Sequence, residues 1–131
     1  MRVDSGIVRI LIADDVAMIR DILRSMVTKE GLFTIFETDN GKEALRIYEA
    51  NTPSIVFLDV NMPGSDGMTV LEAIRANDDS TFVVILSGEN SAENVIAAVN
   101  SGANGYISKP FSQKNISTIL KKYFDSKSTA A

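Results

Sequence analysis

Short apolar runs alternate along the chain with segments in which apolar residues recur at helical spacing. The five runs are residues 10–13, 34–36, 55–58, 82–86 and 105–107. Each run is rich in β-branched or aromatic residues and is bounded by Gly, Pro, Asp or Ser, which is typical of buried strands. The pattern therefore predicts five strands, of which the second is the most polar and the best suited to a sheet edge.

The intervening segments predict five helices, because their apolar residues fall on single helical faces. The face of the first helix consists of Ile19, Ile22, Leu23, Met26 and Val27. The face of the fourth consists of Val95, Ile96 and Val99, and that of the fifth of Ile116, Ile119, Leu120, Tyr123 and Phe124. Helix starts are indicated by Asn40 with Glu43 as a capping box, by Ser65 and Asp66, by Ser91 and by Ser112.

Five β-α units in strict alternation predict a parallel sheet with right-handed crossovers and helices on both faces. Five units are too few for an eightfold barrel. We therefore expect an α/β fold, a flavodoxin-like doubly wound (βα)5 three-layer sandwich with strand order 2-1-3-4-5. We expect one domain over residues 1–131, with an ordered core at about 7–124 and a flexible polar tail at 125–131.

Composition removes several classes of function. The 131 residues include no Cys and no His, which excludes disulfides, thiolate catalysis, Ser-His-Asp catalysis and His-ligated metals. A net charge of −4 argues against direct nucleic-acid binding. No apolar run is long enough to cross a bilayer and no signal segment opens the chain, so we expect a cytoplasmic domain without membrane insertion.

Polar side chains follow four of the five predicted strands. Asp14 and Asp15 come after the first, Asp59 after the third, Ser87 after the fourth and Lys109 close behind the fifth. Because the carboxyl ends of parallel strands share one edge of the sheet, these groups should converge. Three carboxylates repel one another and need a cation, and oxygen ligands favour Mg²⁺. Each residue alone suits a helix cap, a turn or a solvated side chain, but together they favour a site competent to receive a phosphoryl group.

Four motifs then resemble a known family, the receiver domains of bacterial two-component response regulators, over about residues 9–124. The motifs are Ile12-Ala13-Asp14-Asp15, Leu58-Asp59-Val60-Asn61-Met62-Pro63-Gly64, Ser87-Gly88 and Gly105-Tyr106-Ile107-Ser108-Lys109-Pro110-Phe111. The resemblance implies that Asp59 is the phosphoacceptor. It also implies that Asp15 binds Mg²⁺ directly, Asp14 acts mostly through water, and Asn61 contributes its backbone carbonyl. Mn²⁺ is expected to substitute.

The resemblance further implies a switch. Lys109, across a cis peptide to Pro110, pairs with the phosphoryl oxygens, and Ser87 hydrogen-bonds the group after it arrives. Tyr106 then follows inward and alters the surface of the fourth helix, fifth strand and fifth helix.

The resemblance also implies that Asn61 and Glu89 flank the path of the water that hydrolyses the phosphoryl group, and that they modulate the rate of dephosphorylation.

The implied function is a phosphorylation-dependent signalling switch rather than an enzyme. Its expected partners are a sensor histidine kinase or phosphotransfer protein, and a downstream target protein, with an output of the chemotaxis type or another protein-binding type. The alternatives are a phosphorelay intermediate or phosphate sink, the receiver of a longer DNA-binding or enzymatic regulator, and a receiver that signals without phosphorylation. An aspartate-based phosphatase is disfavoured because Asn61 stands where its second carboxylate belongs, and an FMN carrier because carboxylates replace the phosphate-binding loop.

Overall fold

The computed structural model describes residues 6–62, 66–88 and 92–128. Strands and helices alternate in the predicted order. The elements are β1 (Val8–Ala13), α1 (Ala17–Thr28), β2 (Phe33–Thr38), α2 (Gly41–Asn51), β3 (Ile55–Asp59), α3 (Gly67–Arg75), β4 (Phe82–Ser87), α4 (Ala92–Asn100), β5 (Gly105–Ser108) and α5 (Gln113–Ser128). Each predicted strand is present, in most cases one or two residues longer than its apolar run.

All five strands pair in parallel in the order β2-β1-β3-β4-β5, which confirms the predicted topology. The order reverses between β1 and β3, since β1 pairs with β2 on one side and β3 on the other. At the carboxyl edge, Asp59 pairs with Leu86 and Ser87 with Ser108. The last residues of β1, β3, β4 and β5 therefore lie side by side, at the position where a doubly wound sheet binds its ligand.

Alternation of side chains along the strands divides the core into two layers, one on each face of the sheet. Ile10 and Ile12 face α1 and α5, whereas Leu11 faces α2 and α3. Every residue of β3 and β4 is buried, as expected for central strands covered on both faces. β2 is only partly buried, which fits its position at the sheet edge.

Capping follows the sequence with one difference. Asn40 caps α2 by accepting a hydrogen bond from the Glu43 amide at 2.8 Å, and Asp66 caps α3 in the same way through Thr69. The Glu43 carboxylate does not complete the predicted capping box, because it binds the Arg46 guanidinium instead.

A reciprocal cap occurs at α5, where Ser112 and Asn115 each accept a hydrogen bond from the other's amide. Ser65 and Ser91 lie outside the described residues.

Two expectations about helices are corrected. Several residues assigned to apolar faces are exposed: Ile22, Ile96, Val99 and Phe124. The covered part of each face is narrower than the apolar stripe, so that α4 buries only Ala98.

The second correction concerns the end of α5, which continues to Ser128 rather than ending near Phe124. The ion pair of Lys121 with Asp125 and the hydrogen bond from Ser126 to the Tyr123 carbonyl support these added turns. In the described part of the chain, no helix has the length and apolar character needed to cross a membrane.

Candidate functional site

The carboxyl edge of the sheet brings three carboxylates together. One carboxylate oxygen from each of Asp14, Asp15 and Asp59 lies within 4.8 Å of the others. Asp14 directly follows β1 and is fully buried, Asp59 ends β3 and is 2% exposed, and Asp15 is exposed to solvent. Two of the three negative charges are therefore held out of water, and the third lies at the mouth of the site.

Lys109, which directly follows β5, provides the positive charge of the cluster. Its Nζ lies 2.8 Å from Asp14 Oδ2 and 3.2 Å from Asp59 Oδ1, and its side chain is 19% exposed. Its backbone amide donates to the Ser87 carbonyl, which fixes the start of the loop after β5 to the end of β4. The strand ends thus place one lysine between two buried aspartates.

In the described part of the chain, backbone amides satisfy only part of the hydrogen-bonding capacity of these carboxylates. The Val16 amide donates to Asp14 Oδ1 at 2.9 Å, and the Asn61 amide donates to Asp59 Oδ1 at 3.3 Å. Asp14 Oδ2 is buried and receives no hydrogen bond of normal geometry from the described residues, although it lies at ion-pair distance from Lys109. The Lys109 ammonium is shared between this oxygen and Asp59, so one cation serves two buried carboxylates.

The electrostatics of the cluster are unbalanced. Burial raises the pKa of Asp59 and the Asp14 carboxylate raises it further, against the opposing effects of Lys109 and the Asn61 amide. Burial alone would lower the pKa of Lys109, but the two aspartates outweigh it and the pKa is raised. One lysine therefore does not cancel the repulsion within the aspartate group.

This donor set fits a hard divalent cation. It offers carboxylate oxygens from three residues, one of them a buried oxygen without a normal hydrogen bond, and the described residues bring no sulfur or imidazole to it. Such all-oxygen sets bind Mg²⁺ in preference to softer metals. Asp14, Asp15 and Asp59 are the side chains that would hold the ion.

Two further predicted residues lie on the neighbouring strands. Ser87 ends β4 and is 1% exposed, and Tyr106 is half-buried in β5, where it pairs with Ile85 and packs against the core layer under α3. Tyr106 also lines a groove of about 400 Å³ between β5 and α5, together with Pro110 and Lys114. The Lys109–Pro110 peptide bond is cis.

Some predicted positions are peripheral or undescribed. Asn61 is exposed, and the structure relates it to the site through its amide on Asp59. Glu89, Pro63 and Gly64 lie outside the described residues.

Two residues at the site were not predicted from the sequence. Gly67 opens α3 so close to β3 that a Cβ there would lie 2.2 Å from the Asp59 carbonyl oxygen. Arg20, one turn into α1, donates to the Asp14 carbonyl at 2.7 Å and lies 3.5 Å from Glu37. A glycine at the first position of a helix after a strand end was a usable signal for Gly67. Arg20 has no local signal, because its role depends on where α1 lies.

Comparison with known proteins agrees with this geometry. The family model described as "Response regulator receiver domain" matches residues 10–121. The chemotaxis protein CheY of Bacillus subtilis (strain 168) is 32% identical over 114 residues, covering 87% of this chain and 95% of that protein. CheY of Thermotoga maritima is 33% identical with the same coverage.

A solved structure of a LuxR-family DNA-binding response regulator from Staphylococcus aureus superposes with a TM-score of 0.82 at 29% identity. The match covers 89% of this chain and 98% of that one. Relatives with different outputs thus share this fold. Because the family model spans most of the chain and includes all the strands that carry the acidic site, the chain belongs to the receiver domains of two-component response regulators, which are phosphorylation-dependent signalling switches.

Proposed function

We propose that this receiver accepts a phosphoryl group on Asp59 from a phosphohistidine of a sensor histidine kinase or phosphotransfer protein. The observation that carries the proposal is the position of Asp59, a 2% exposed carboxylate at a strand end beside Asp14 and 3.2 Å from Lys109 Nζ. The chain turns over no substrate of its own. It assists its own phosphorylation and dephosphorylation, and otherwise acts as a switch.

The transfer is a displacement at phosphorus. A carboxylate oxygen of Asp59 attacks, an O–P bond forms, and the P–N bond to the donor imidazole breaks. The electron pair stays on the imidazole nitrogen, which takes a proton from solvent. Lys109 and Ser87 stabilise the phosphoryl oxygens by charge and by hydrogen bonding, since both occupy neighbouring strand ends.

Receiver domains bind Mg²⁺ at an acidic pocket, and here Asp14, Asp15 and Asp59 would hold it together with the Asn61 backbone carbonyl. Bound Mg²⁺, or Mn²⁺ in its place, supplies positive charge next to the phosphoryl oxygens. The buried Asp14 oxygen that lacks a normal hydrogen bond supports this assignment.

The output is the binding of a target protein by the face formed by α4, β5 and α5. Ser87 forms a hydrogen bond to the phosphoryl group, and Tyr106 then moves inward. This movement alters the surface of the face that binds the target. Ile96 and Val99 on α4 are 58% and 60% exposed, which gives that face an apolar surface for a partner. Similarity to chemotaxis proteins favours a target of that type, whereas the Staphylococcus aureus neighbour supports a receiver serving a DNA-binding regulator.

A phosphorelay intermediate or phosphate sink is the remaining form of the same chemistry. In either case Asn61 and Glu89 would set the lifetime of the phosphoryl group. Asn61 is exposed beside Asp59, as a residue contacting an incoming water must be.

The test is intact-mass spectrometry after incubation with acetyl phosphate, with and without Mg²⁺. We expect a Mg²⁺-dependent gain of one phosphoryl group that is absent in Asp59→Asn. Asp78→Asn is the matched control, because it removes a carboxylate at the opposite edge of the sheet and should leave the adduct intact.

A short-lived adduct is distinguished from no reaction by repeating the measurement with beryllofluoride, which mimics the phosphoryl group without turnover. Absence of both adduct and bound beryllofluoride would refute the proposal. An adduct that persists in Asp59→Asn would move the phosphoacceptor to another residue.

A further inference from the structure

Arg75, the last residue of α3, cross-links two loops at the amino-terminal edge of the sheet. On one side its guanidinium donates to the Asp78 carbonyl at 3.0 Å and the Thr81 carbonyl at 2.7 Å, both in the loop before β4. On the other side it donates to the Gly102 carbonyl at 2.9 Å and to Asn104 Oδ1 at 2.8 Å, both in the loop before β5. Four acceptors on two loops use the fixed fork of the guanidinium, which a lysine could not reproduce.

The loop before β5 is shaped to receive this side chain. Gly102 has a φ of +99°, a conformation that favours glycine, and its amide closes α4 by donating to the Val99 carbonyl. A Cβ at this position would lie 3.0 Å from both Cγ and Nε of Arg75. The end of α4 and the side chain of Arg75 are therefore fitted to each other.

Asn104 extends the pairing of β4 and β5 by one residue beyond the regular ladder. Its backbone amide donates a hydrogen bond to the Val83 carbonyl at 2.8 Å. Its side-chain Oδ1 accepts one hydrogen bond from the Val83 amide at 2.8 Å and another from the Arg75 guanidinium. Its carbonyl accepts Lys122 of α5 at 2.6 Å. One residue thus ties the start of β5 to α3, β4 and α5.

Resting on the function proposed above, we infer that Arg75 and Asn104 are positioning residues of the switch, which hold the amino end of β5 in place while its carboxyl end rearranges. β5 is only four residues long. Tyr106 is two residues from Asn104, about 7 Å along an extended chain. Lys109, which meets the phosphoryl group, is one residue past the other end of the strand.

A short strand such as β5 can couple a movement of Ser87 to Tyr106 only if its amino end stays in place. If Ser87 moves toward the phosphoryl group, Tyr106 follows only if β5 keeps its register beside β4, where Tyr106 faces Ile85. A loose start of β5 would absorb the movement in residues 101–104 and leave Tyr106 where it was. Coupling then depends on the Arg75 contacts, although none of them touches the acidic site.

The test compares ligand binding with the response of Tyr106 in Arg75→Met. Protein labelled with 3-fluorotyrosine contains three fluorinated residues, and Tyr106→Phe identifies the Tyr106 signal. Calorimetric titration with beryllofluoride and Mg²⁺ gives the affinity, and fluorine NMR gives the change at Tyr106. We expect the affinity of Arg75→Met to stay within threefold of the wild type while the Tyr106 shift falls to less than half.

Arg9→Met is the matched control. Arg9 lies at the same edge of the sheet and also donates to a backbone carbonyl, that of Asn51 at 2.8 Å, but this contact joins β1 to the last residue of α2. It should reproduce the full Tyr106 shift. Arg75→Lys keeps the charge with a gentler change and decides the question by the same criterion if Arg75→Met does not fold.

A full Tyr106 shift in the Arg75 variant would overturn the inference. So would a proportionate fall of affinity and shift, which indicates general loosening of the domain. A wild-type protein that neither forms the adduct with acetyl phosphate nor binds beryllofluoride overturns the proposed function, and the inference with it. Normal wild-type binding with an unchanged Tyr106 shift in the variant removes the inference alone.

Discussion

Asp59 and Asp78 lie at opposite edges of the same sheet, and their environments shift the same carboxyl group in opposite directions. At the carboxyl edge, burial and the neighbouring Asp14 charge raise the pKa of Asp59. At the amino edge, hydroxyl groups of Thr81 and Tyr48, helped by Ser80, lower the pKa of Asp78 far below its usual range.

The contrast comes from the donors that the chain supplies. Asp78 accepts hydrogen bonds from the amides of Ser80 and Thr81 and from three side-chain hydroxyls. Among the described residues, Asp59 receives one long hydrogen bond from an amide and one ion pair from Lys109, and it shares that lysine with Asp14. Asp78 is thus satisfied within the folded chain, whereas the aspartate group around Asp59 keeps an unbalanced negative charge that fits a cation. A carboxylate of the first kind indicates structure, and one of the second kind indicates a binding site.

The largest effect on this comparison should come from Lys109→Met. It leaves Asp14 and Asp59 buried without their cation, so the free energy of unfolding at pH 7 in EDTA should fall by about 3 kcal/mol. Mg²⁺ should restore most of the loss, because the metal replaces the missing charge, and should stabilise the variant more than the wild type. Urea denaturation followed by far-UV circular dichroism, with and without Mg²⁺, measures both changes.

Lys121→Met is the control for that experiment, since Lys121 lies in an exposed pair with Asp125. It should lower the free energy of unfolding by no more than about 0.5 kcal/mol and leave the response to Mg²⁺ unchanged. A Lys109→Met protein as stable as the wild type in EDTA would show that the aspartates do not repel one another as described.

The second largest effect on stability should come from Asp78→Asn, at the amino edge of the sheet. The lowered pKa means that Asp78 stabilises the native state above pH 3.8, and that this contribution is lost as the pH falls below it. We expect a loss of about 2 kcal/mol at pH 7, since hydrogen bonds to a charged acceptor are weakened but the group is partly exposed to solvent. The deficit should shrink as acid denaturation is approached.

The affinity for Mg²⁺, measured by calorimetry, tests whether a change at the amino edge affects the acidic site at the carboxyl edge. Asp78→Asn should retain the wild-type affinity. A loss of affinity would mean that the amino edge is coupled to the acidic site through the sheet.

The acidic site at the carboxyl edge was predictable from the sequence, whereas the hydrogen-bond network of Asp78 at the amino edge was not. Asp14, Asp59 and Lys109 stand at or just past the ends of apolar runs, so the β-α order alone placed them together. The partners of Asp78 and Arg75 include residues about 30 positions away in the chain, such as Tyr48 and Gly102. No local pattern reports such contacts, because they arise only when helices are placed on the sheet.

The spacing of apolar residues did not predict how much of each helix is buried. It located the apolar stripe of α4, but only Ala98 of that helix is buried, while Ile96 and Val99 face solvent. A stripe shows which side of a helix is apolar. How much of it is covered depends on the tilt of the helix and on its neighbours.

The smallest effect, and the one of opposite sign, should come from Asp59→Asn in EDTA. Because the pKa of Asp59 is raised in the folded state, the native protein holds a proton more tightly than the unfolded chain above pH 3.8. Stability therefore falls as the pH rises through the native pKa, and the ionised carboxylate costs stability at pH 7.

Asparagine carries no charge at any of these pH values and keeps the shape of the side chain. Asp59→Asn should accordingly be more stable than the wild type at pH 7 by about 1 kcal/mol, a modest gain because Lys109 already offsets part of the repulsion. The gain should shrink as the pH falls through the native pKa of Asp59 and vanish below pH 3.8, where the wild-type carboxyl is protonated in both states. Urea denaturation in EDTA between pH 7 and pH 4 follows it. A loss of stability at pH 7 would place Asp59 with Asp78 as a structural carboxylate, since the same substitution would then have the same sign at both edges.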